Sequence, residues 1–140
     1  MNILVTGSAG FIGYHLSKRL LQSGNHVTGI DSINDYYDPL LKQARLNLLI
    51  GQEGFIFHHM NITDTELLIK LMQENQYTCV IHLAAQAGVR YSLEQPRAYI
   101  DSNINGFFSI LEACRKVPVD HLVYASSSSV YGNSTKVPFK

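Results

Sequence analysis

An excess of charge of either sign is the first thing the sequence lacks. Lys and Arg together number 11, Asp and Glu together number 11, and the formal net charge is zero. Proteins that gather nucleic acid or an anionic membrane surface carry a basic excess, so neither partner is expected. A small anionic ligand stays open, because backbone amides hold phosphate without net positive charge. Long apolar runs are missing too. No stretch approaches the ~20 residues of a membrane span. Met1–Val5 is far too short for the apolar part of a secretion signal, and no basic stretch precedes it. Only two cysteines occur, Cys79 and Cys114, each inside an apolar segment. Both are read as reduced core residues, which suits a cytoplasmic protein. Internal repeats and low-complexity linkers are absent as well.

What is present suffices for one domain. The chain has 140 residues, 46% hydrophobic and 16% charged, enough for a core and too little charge for a disordered chain. Short β-branched runs predict strands at Asn2–Thr6, His26–Asp31, Phe55–His59, Thr78–Leu83 and His121–Ala125. Helical spacing lies between them. Phe11, Ile12, Leu16, Leu20 and Leu21 line one face of the first helix, and Gly24 is placed to end it. Leu40–Ile50 and Glu66–Glu74 read as the second and third helices. In the fourth, Ile100, Ile104, Phe107, Phe108, Leu111 and Cys114 fall on one stripe before Pro118. Alternating strands and helices predict an α/β fold: a Rossmann-type, doubly wound parallel sheet with helices on both faces, reaching about five strands. The loops Ser32–Pro39 and Gln86–Arg97 follow strand C-termini, the edge where such sheets bind ligands.

The first strand and first helix are joined by Thr6-Gly7-Ser8-Ala9-Gly10-Phe11-Ile12-Gly13. In this arrangement Gly7 permits the tight turn, Gly10 leaves room for a pyrophosphate, and Gly13 lets helix and strand pack closely. Asp31 ends the second strand, at the distance expected of the acid that holds an adenosine ribose. A carboxylate accepts from the two ribose hydroxyls and repels a 2′-phosphate. Ser32 to Asp38 supplies no Arg or Lys to neutralise one, so NAD is favoured over NADP.

The Thr-Gly-x-x-Gly-x-x-Gly spacing resembles the extended short-chain dehydrogenase/reductase superfamily, within it the NAD-dependent epimerase/dehydratase family. Asp31-Ser-Ile-Asn-Asp-Tyr-Tyr-Asp-Pro39, His82-Leu-Ala-Ala-Gln-Ala-Gly-Val-Arg-Tyr-Ser92 and Ser126-Ser-Ser-Ser-Val-Tyr-Gly132 are similar to its UDP-glucuronate 4-epimerase branch. The resemblance implies an isomerase working through a transient 4-keto sugar with bound NAD. It places Phe11 and Ile12 under the pyrophosphate and Asn61 and Ile62 at the adenine. Leu83, Ala84, Ala85 and Gln86 would run beside the nicotinamide half, and Asn103 matches another cofactor-contacting position. Asn61 departs from the family's usual Asp, which implies somewhat weaker cofactor binding at most.

By the same resemblance, Ser127 is the catalytic hydroxyl that bonds the sugar oxygen losing its proton. Sugar 4,6-dehydratases of the superfamily carry Asp-Glu where this chain has Ser128-Ser129, and two serines cannot serve as that acid and base. Arg90 sits in the binding-edge loop and could pair with a substrate carboxylate; the alternative is solvent, or an ion pair with Glu94. The superfamily's Tyr-x-x-x-Lys pair should lie beyond Lys140. Tyr14 and Lys18 have that spacing, but inside the first helix. The chain therefore reads as the N-terminal part of a longer homodimeric enzyme, inactive alone, with an exposed edge at its fifth strand. Another sugar epimerase, a dehydratase and a non-catalytic NAD-binding module are the alternatives. His58 and His59 are neighbours in a strand and point to opposite faces, so no metal site is expected. His82 reads as a hydrogen-bonded core residue, and Tyr36, Tyr37 and Tyr91 as covers for apolar surface.

Overall fold

The structure, a computed structural model, describes residues 1–139. Strands β1 (Asn2–Thr6), β2 (His26–Asp31), β3 (Phe55–His59), β4 (Cys79–His82) and β5 (His121–Tyr124) form one parallel sheet in the order β3-β2-β1-β4-β5. Around it lie helices α1 (Phe11–Gln22), α2 (Pro39–Asn47) and α3 (Thr65–Asn75). Two single turns, α4 (Tyr91–Glu94) and α5 (Pro96–Tyr99), lead into a π-helical segment at Ile100–Gly106 and then α6 (Phe107–Lys116). The first three strands match their predicted limits. β4 starts one residue late and stops one early, where the Leu83 amide is shared between Thr6 O at 3.3 Å and the Thr6 hydroxyl oxygen at 3.1 Å.

Alternation along β1 shows how both faces are covered. Ile3 and Val5 join Val27 and Cys79 on one face, against Leu20 and Leu21 of α1. Leu4 joins Ile30 and Val80 on the other, beneath Leu68 and Met72 of α3 and Ile110 and Ala113 of α6. A parallel sheet has to be buried in this way, because crossover helices occupy both faces. α1 ends as predicted at Gly24, in a Schellman arrangement: the Gly24 amide donates to Leu21 O and the Asn25 amide to Leu20 O.

The fourth helix differs from its prediction. Of the expected stripe, Ile100, Ile104, Phe108 and Leu111 are exposed and Phe107 and Cys114 half-buried, whereas Gly106, Ile110 and Ala113 are buried. Small residues decide the matter. A Cβ on Gly106 would lie 2.5 Å from the Ile62 side chain, so the helix can approach the β3–α3 connection only along its glycine face. Gly106, Ile110 and Ala113, spaced i, i+4, i+7, then point inward.

β3 and β5 are the sheet edges, and Val123 and Tyr124 of β5 are about half exposed, at 47% and 53%. Among the described residues, no helix is long and apolar enough to cross a membrane and no cluster of side chains could hold a metal ion. Both cysteines are free.

Candidate functional site

From β1 the chain crosses to β2 on one side, and β4 lies on the other, so the strand order reverses at the C-terminal end of β1. Ligands of open α/β sheets bind at such a reversal. A cavity of about 420 Å³ opens there, lined by Gly7 and Gly10, Asp31, Asn61 and Ile62, and Leu83 to Gln86 among others. The sequence assigned all of these to the cofactor.

The middle of the cavity is the glycine loop. Gly7 adopts φ +71°, and its amide donates to Ile30 O at 2.8 Å, which ties the loop to β2. A Cβ on Gly7 would meet Ala84 N at 2.9 Å, so the loop is pressed against the β4 connection. α2 and α3 begin with aspartates, Asp38 and Asp64, whose carboxylates accept first-turn amides. α1 has no side-chain cap and no acidic residue in its first turn. Its leading amides and the positive end of its dipole are therefore left to an incoming anion.

One end of the cavity is built on Asp31, which is 8% exposed. Its Oδ2 accepts from the Ala9 amide at 3.1 Å and its Oδ1 from the Ile33 amide at 2.9 Å. A carboxylate has about four acceptor positions, so two stay free for the hydroxyls of a ribose. Lys42 of α2 reaches to 3.8 Å from Oδ1 and donates to Asn34 Oδ1 at 2.6 Å. Arg45, one turn on, donates to the Tyr37 hydroxyl at 3.1 Å. Burial raises the Tyr37 phenol, with Arg45 opposing it, so the ring stays neutral and can accept that bond.

At the other end, two clamps fix Leu83–Gln86. The Thr6 hydroxyl oxygen accepts from the Leu83 amide at 3.1 Å and the Ala84 amide at 3.0 Å, and lies 2.8 Å from His82 Nδ1. With both lone pairs used, its proton must go to Nδ1, so His82 is the neutral tautomer carrying hydrogen on Nε2. Burial lowers the His82 pKa to about 4, and the ring stacks on Phe107 at 5.5 Å. The second clamp is Asn103. Its Oδ1 accepts from the Gln86 amide at 2.8 Å, and its Nδ2 donates to Gln86 O at 2.9 Å. Asn103→Leu should cost about 2 kcal/mol by orphaning both groups of a buried residue. Urea unfolding reads that loss, and amide exchange should quicken at Gln86; an unchanged exchange rate would show that the clamp is idle.

Several predicted residues lie outside the cavity wall. Gly13 is packed beneath the glycine loop, while Phe11 and Ile12 are exposed, at 65% and 63%, at the start of α1. Asn103 spends both side-chain atoms on Gln86. Ser127 is exposed; its Oγ accepts from the Ser129 amide at 3.2 Å and so caps a 3₁₀ turn over Ser128–Tyr131. Arg90 is exposed and makes no ion pair, with Glu94 or otherwise, among the described residues. Tyr14 is buried and Lys18 exposed within α1, away from Ser127's turn. Asn61 lines the cavity, but its Oδ1 already accepts from the Thr63 amide at 3.1 Å.

Other wall residues were not singled out from the sequence. Ser32, Asn34, Met60, Ala87 and Ser102 contribute, together with Lys42. Tyr36 and Tyr37, read as surface covers, line the cavity too. Tyr36 also packs against Tyr91 at 4.8 Å, joining the two binding-edge loops. A signal for Lys42 did exist: Lys42, Arg45, Leu46 and Leu49 share i, i+3, i+4, i+7 spacing, which puts two cations on the inward face of α2. The carboxylate, the uncapped helix start and the clamped β4 connection lie in line. That layout fits a dinucleotide, which carries two phosphates between two ribosides.

Comparisons with known proteins agree with this layout. Protein CapI of Staphylococcus aureus is 54% identical over 139 residues, covering 99% of this chain and 41% of the relative. UDP-glucuronate 4-epimerase 4 of Arabidopsis thaliana is 52% identical over 140 residues, covering 99% of this chain and 32% of its own. Among solved structures, UDP-glucuronic acid 4-epimerase of Bacillus cereus in complex with UDP-glucuronic acid and NAD superposes with a TM-score of 0.86. It shares 40% identity and covers 97% of this chain and 43% of its own. UDP-glucose-4-epimerase of Stenotrophomonas maltophila, with bound NAD and a formylated UDP-arabinopyranose, gives 0.83 at 37% identity, with coverage of 99% and 40%. The chain thus spans about two-fifths of the length of the first relatives it matches. A family model described as the NAD dependent epimerase/dehydratase family matches residues 3–140. With the glycine loop, Asp31 and the clamped β4 connection all inside that match, the chain belongs to the NAD dependent epimerase/dehydratase family.

Proposed function

We propose that the chain is the NAD-holding part of a nucleotide-sugar 4-epimerase that interconverts UDP-glucuronate and UDP-galacturonate. The crevice carries the reading: a buried ribose-type carboxylate, an uncapped helix start and a clamped β4 connection stand in line at the switch point. Relatives named as UDP-glucuronate 4-epimerases support the substrate class. When bound, NAD supplies reversible hydride uptake at one sugar carbon. Asp31 would hold the adenosine ribose, the first-turn amides of α1 the pyrophosphate, and Leu83–Gln86 the nicotinamide side. Ser127 would bond the reacting sugar oxygen and Arg90 the uronate carboxylate. Ser128-Ser129 offers no acid–base pair for water elimination, which favours epimerisation over dehydration. No Tyr-x-x-x-Lys follows Ser127 within these 140 residues, so turnover is expected only from a chain that carries one, and a homodimer is the proposed assembly.

Calorimetric titration with NAD tests the cofactor assignment. The protein should bind saturably, and Asp31→Ala should weaken binding about tenfold or more through loss of charge-assisted bonds to the ribose. A folded protein that ignores NAD, or an Asp31→Ala variant that binds as before, would remove the basis of the reading.

A further inference from the structure

Resting on that cofactor assignment, we infer that the two binding-edge loops form a gate over the cavity, Tyr36 closing against Gly88, and that its opening sets how fast the cofactor enters and leaves. The sheet order puts β1 between β2 and β4, so a contact between the loops that follow β2 and β4 has to pass over the glycine loop. Such a contact exists. A Cβ on Gly88 would collide with the Tyr36 hydroxyl and lie 3.3 Å from Tyr36 Cζ, so the phenol rests directly on the Gly88 backbone. The Tyr36 ring packs on Tyr91 of α4, centroids 4.8 Å apart, and Tyr91 lies 6.4 Å from the Tyr99 ring. Tyr36 and Ala87 line the cavity together with Gly7 and Gly10.

The two halves of the gate are held differently. On the β4 side the backbone is pinned: Asn103 clamps Gln86, Tyr99 Oη donates to Ala87 O at 2.8 Å and reaches Gly88 O, and Ser92 Oγ donates to Val89 O at 2.6 Å. Gly88, at φ +95°, takes the bend between these anchors. On the β2 side, Tyr36 is held by its ring contacts with Tyr37 and Tyr91 and by no hydrogen bond among the described residues. Its loop sets out from Ile33 at φ +48°, a left-handed conformation that a β-branched residue avoids. The bond from the Ile33 amide to Asp31 Oδ1 keeps it there. A loop that begins in strain and closes on ring packing alone is the part that moves, and the pinned β4 side is the stop it meets. The proposed reaction returns the hydride it takes up, so a cofactor confined in this way need not leave between turnovers.

A gate that is closed before and after binding slows entry and exit by the same factor and leaves the equilibrium nearly unchanged. A wall contact made only to the bound cofactor changes exit alone. Stopped-flow fluorescence of NADH, first mixed with the protein and then chased from it with excess NAD, gives both rate constants, and calorimetry gives the dissociation constant. Tyr36→Ala should raise both rates about tenfold and leave the dissociation constant within about threefold. Tyr91→Ala should act in the same way to a lesser degree, although Tyr91 does not line the cavity. The two substitutions together should do little more than Tyr36→Ala alone, because both open the same joint. The gate is overturned if exit alone quickens and affinity falls with it, or if Tyr91→Ala changes neither rate. An unsubstituted protein that binds neither NADH nor NAD overturns the cofactor reading itself, and the gate falls with it.

Discussion

Gly13→Ala is expected to destabilise the protein by at least about 3 kcal/mol and to abolish NAD binding. The added Cβ would lie 2.0 Å from Gly7 O, 2.7 Å from the Gly7 carbonyl carbon and 2.9 Å from Ser8 Cα. All three are backbone atoms, so no rotamer relieves the clash. The glycine loop itself would have to move, breaking the bonds from the Gly7 amide to Ile30 O and from the Gly10 amide to Gly7 O. Those bonds hold the floor of the cavity. Gly24→Ala is the comparison: its φ of +77° is strained for alanine, but a Cβ there meets nothing within 4 Å, so about 1–2 kcal/mol is expected. Urea midpoints of both variants, with NAD titration of each, check the contrast. Equal and small losses would mean that the loop yields easily and is not the rigid cradle described.

Acidification should weaken the fold through His82. In the unfolded chain the imidazole takes its proton near 6.5, whereas burial beside Thr6 and Phe107 holds the folded pKa to about 4. Below 6.5 the unfolded state therefore binds more protons, and stability falls as pH falls, with the loss complete once the folded group protonates near 4. The gap corresponds to about 3 kcal/mol. Protonation would also break the Thr6 bond, because a hydrogen on Nδ1 would face the hydroxyl hydrogen. Carboxylates titrate in the same range, so the informative quantity is the difference from His82→Asn, which keeps an acceptor and does not titrate. Denaturation at pH 7, 5.5 and 4.5 should show a steeper decline for the unsubstituted protein. Parallel declines would show that His82 is not the group responsible.

The sequence made the site legible where its signals are local. The glycine spacing, Asp31 at the end of a strand and the limits of β1 to β3 each depend on residues a few positions apart. His82 was readable as a hydrogen-bonded core residue, but its partner Thr6 lies 76 residues away and only strand pairing brings them opposite each other. Asn103 shows the same limit: its position was noticed, while its use as a clamp on Gln86 depends on a contact across 17 residues. Lys42 is not legible from the residues next to Asp31, because only the turn of α2 brings it back to that carboxylate. The inward face of the fourth helix is hidden from the sequence for a different reason. Hydropathy favours large apolar residues, whereas close approach to Ile62 selects the small one, Gly106.

The π-helical segment at Ile100–Gly106 has a consequence for how this chain tolerates changes of length. A wider turn sets a phase between the residues before it and those after it. Asn103 must meet Gln86 while Gly106, Ile110 and Ala113 meet the core, and both requirements hold for one winding only. Deleting a single residue from α6 would turn everything beyond it by ~100° and carry Ala113 away from the core, whereas a deletion inside the wider π turn would tighten it toward α geometry. In the exposed turn around Gly51, where a Cβ meets nothing within 4 Å, the same deletion would be absorbed locally. Related chains should thus vary in length at the turn and keep a fixed count through the helix.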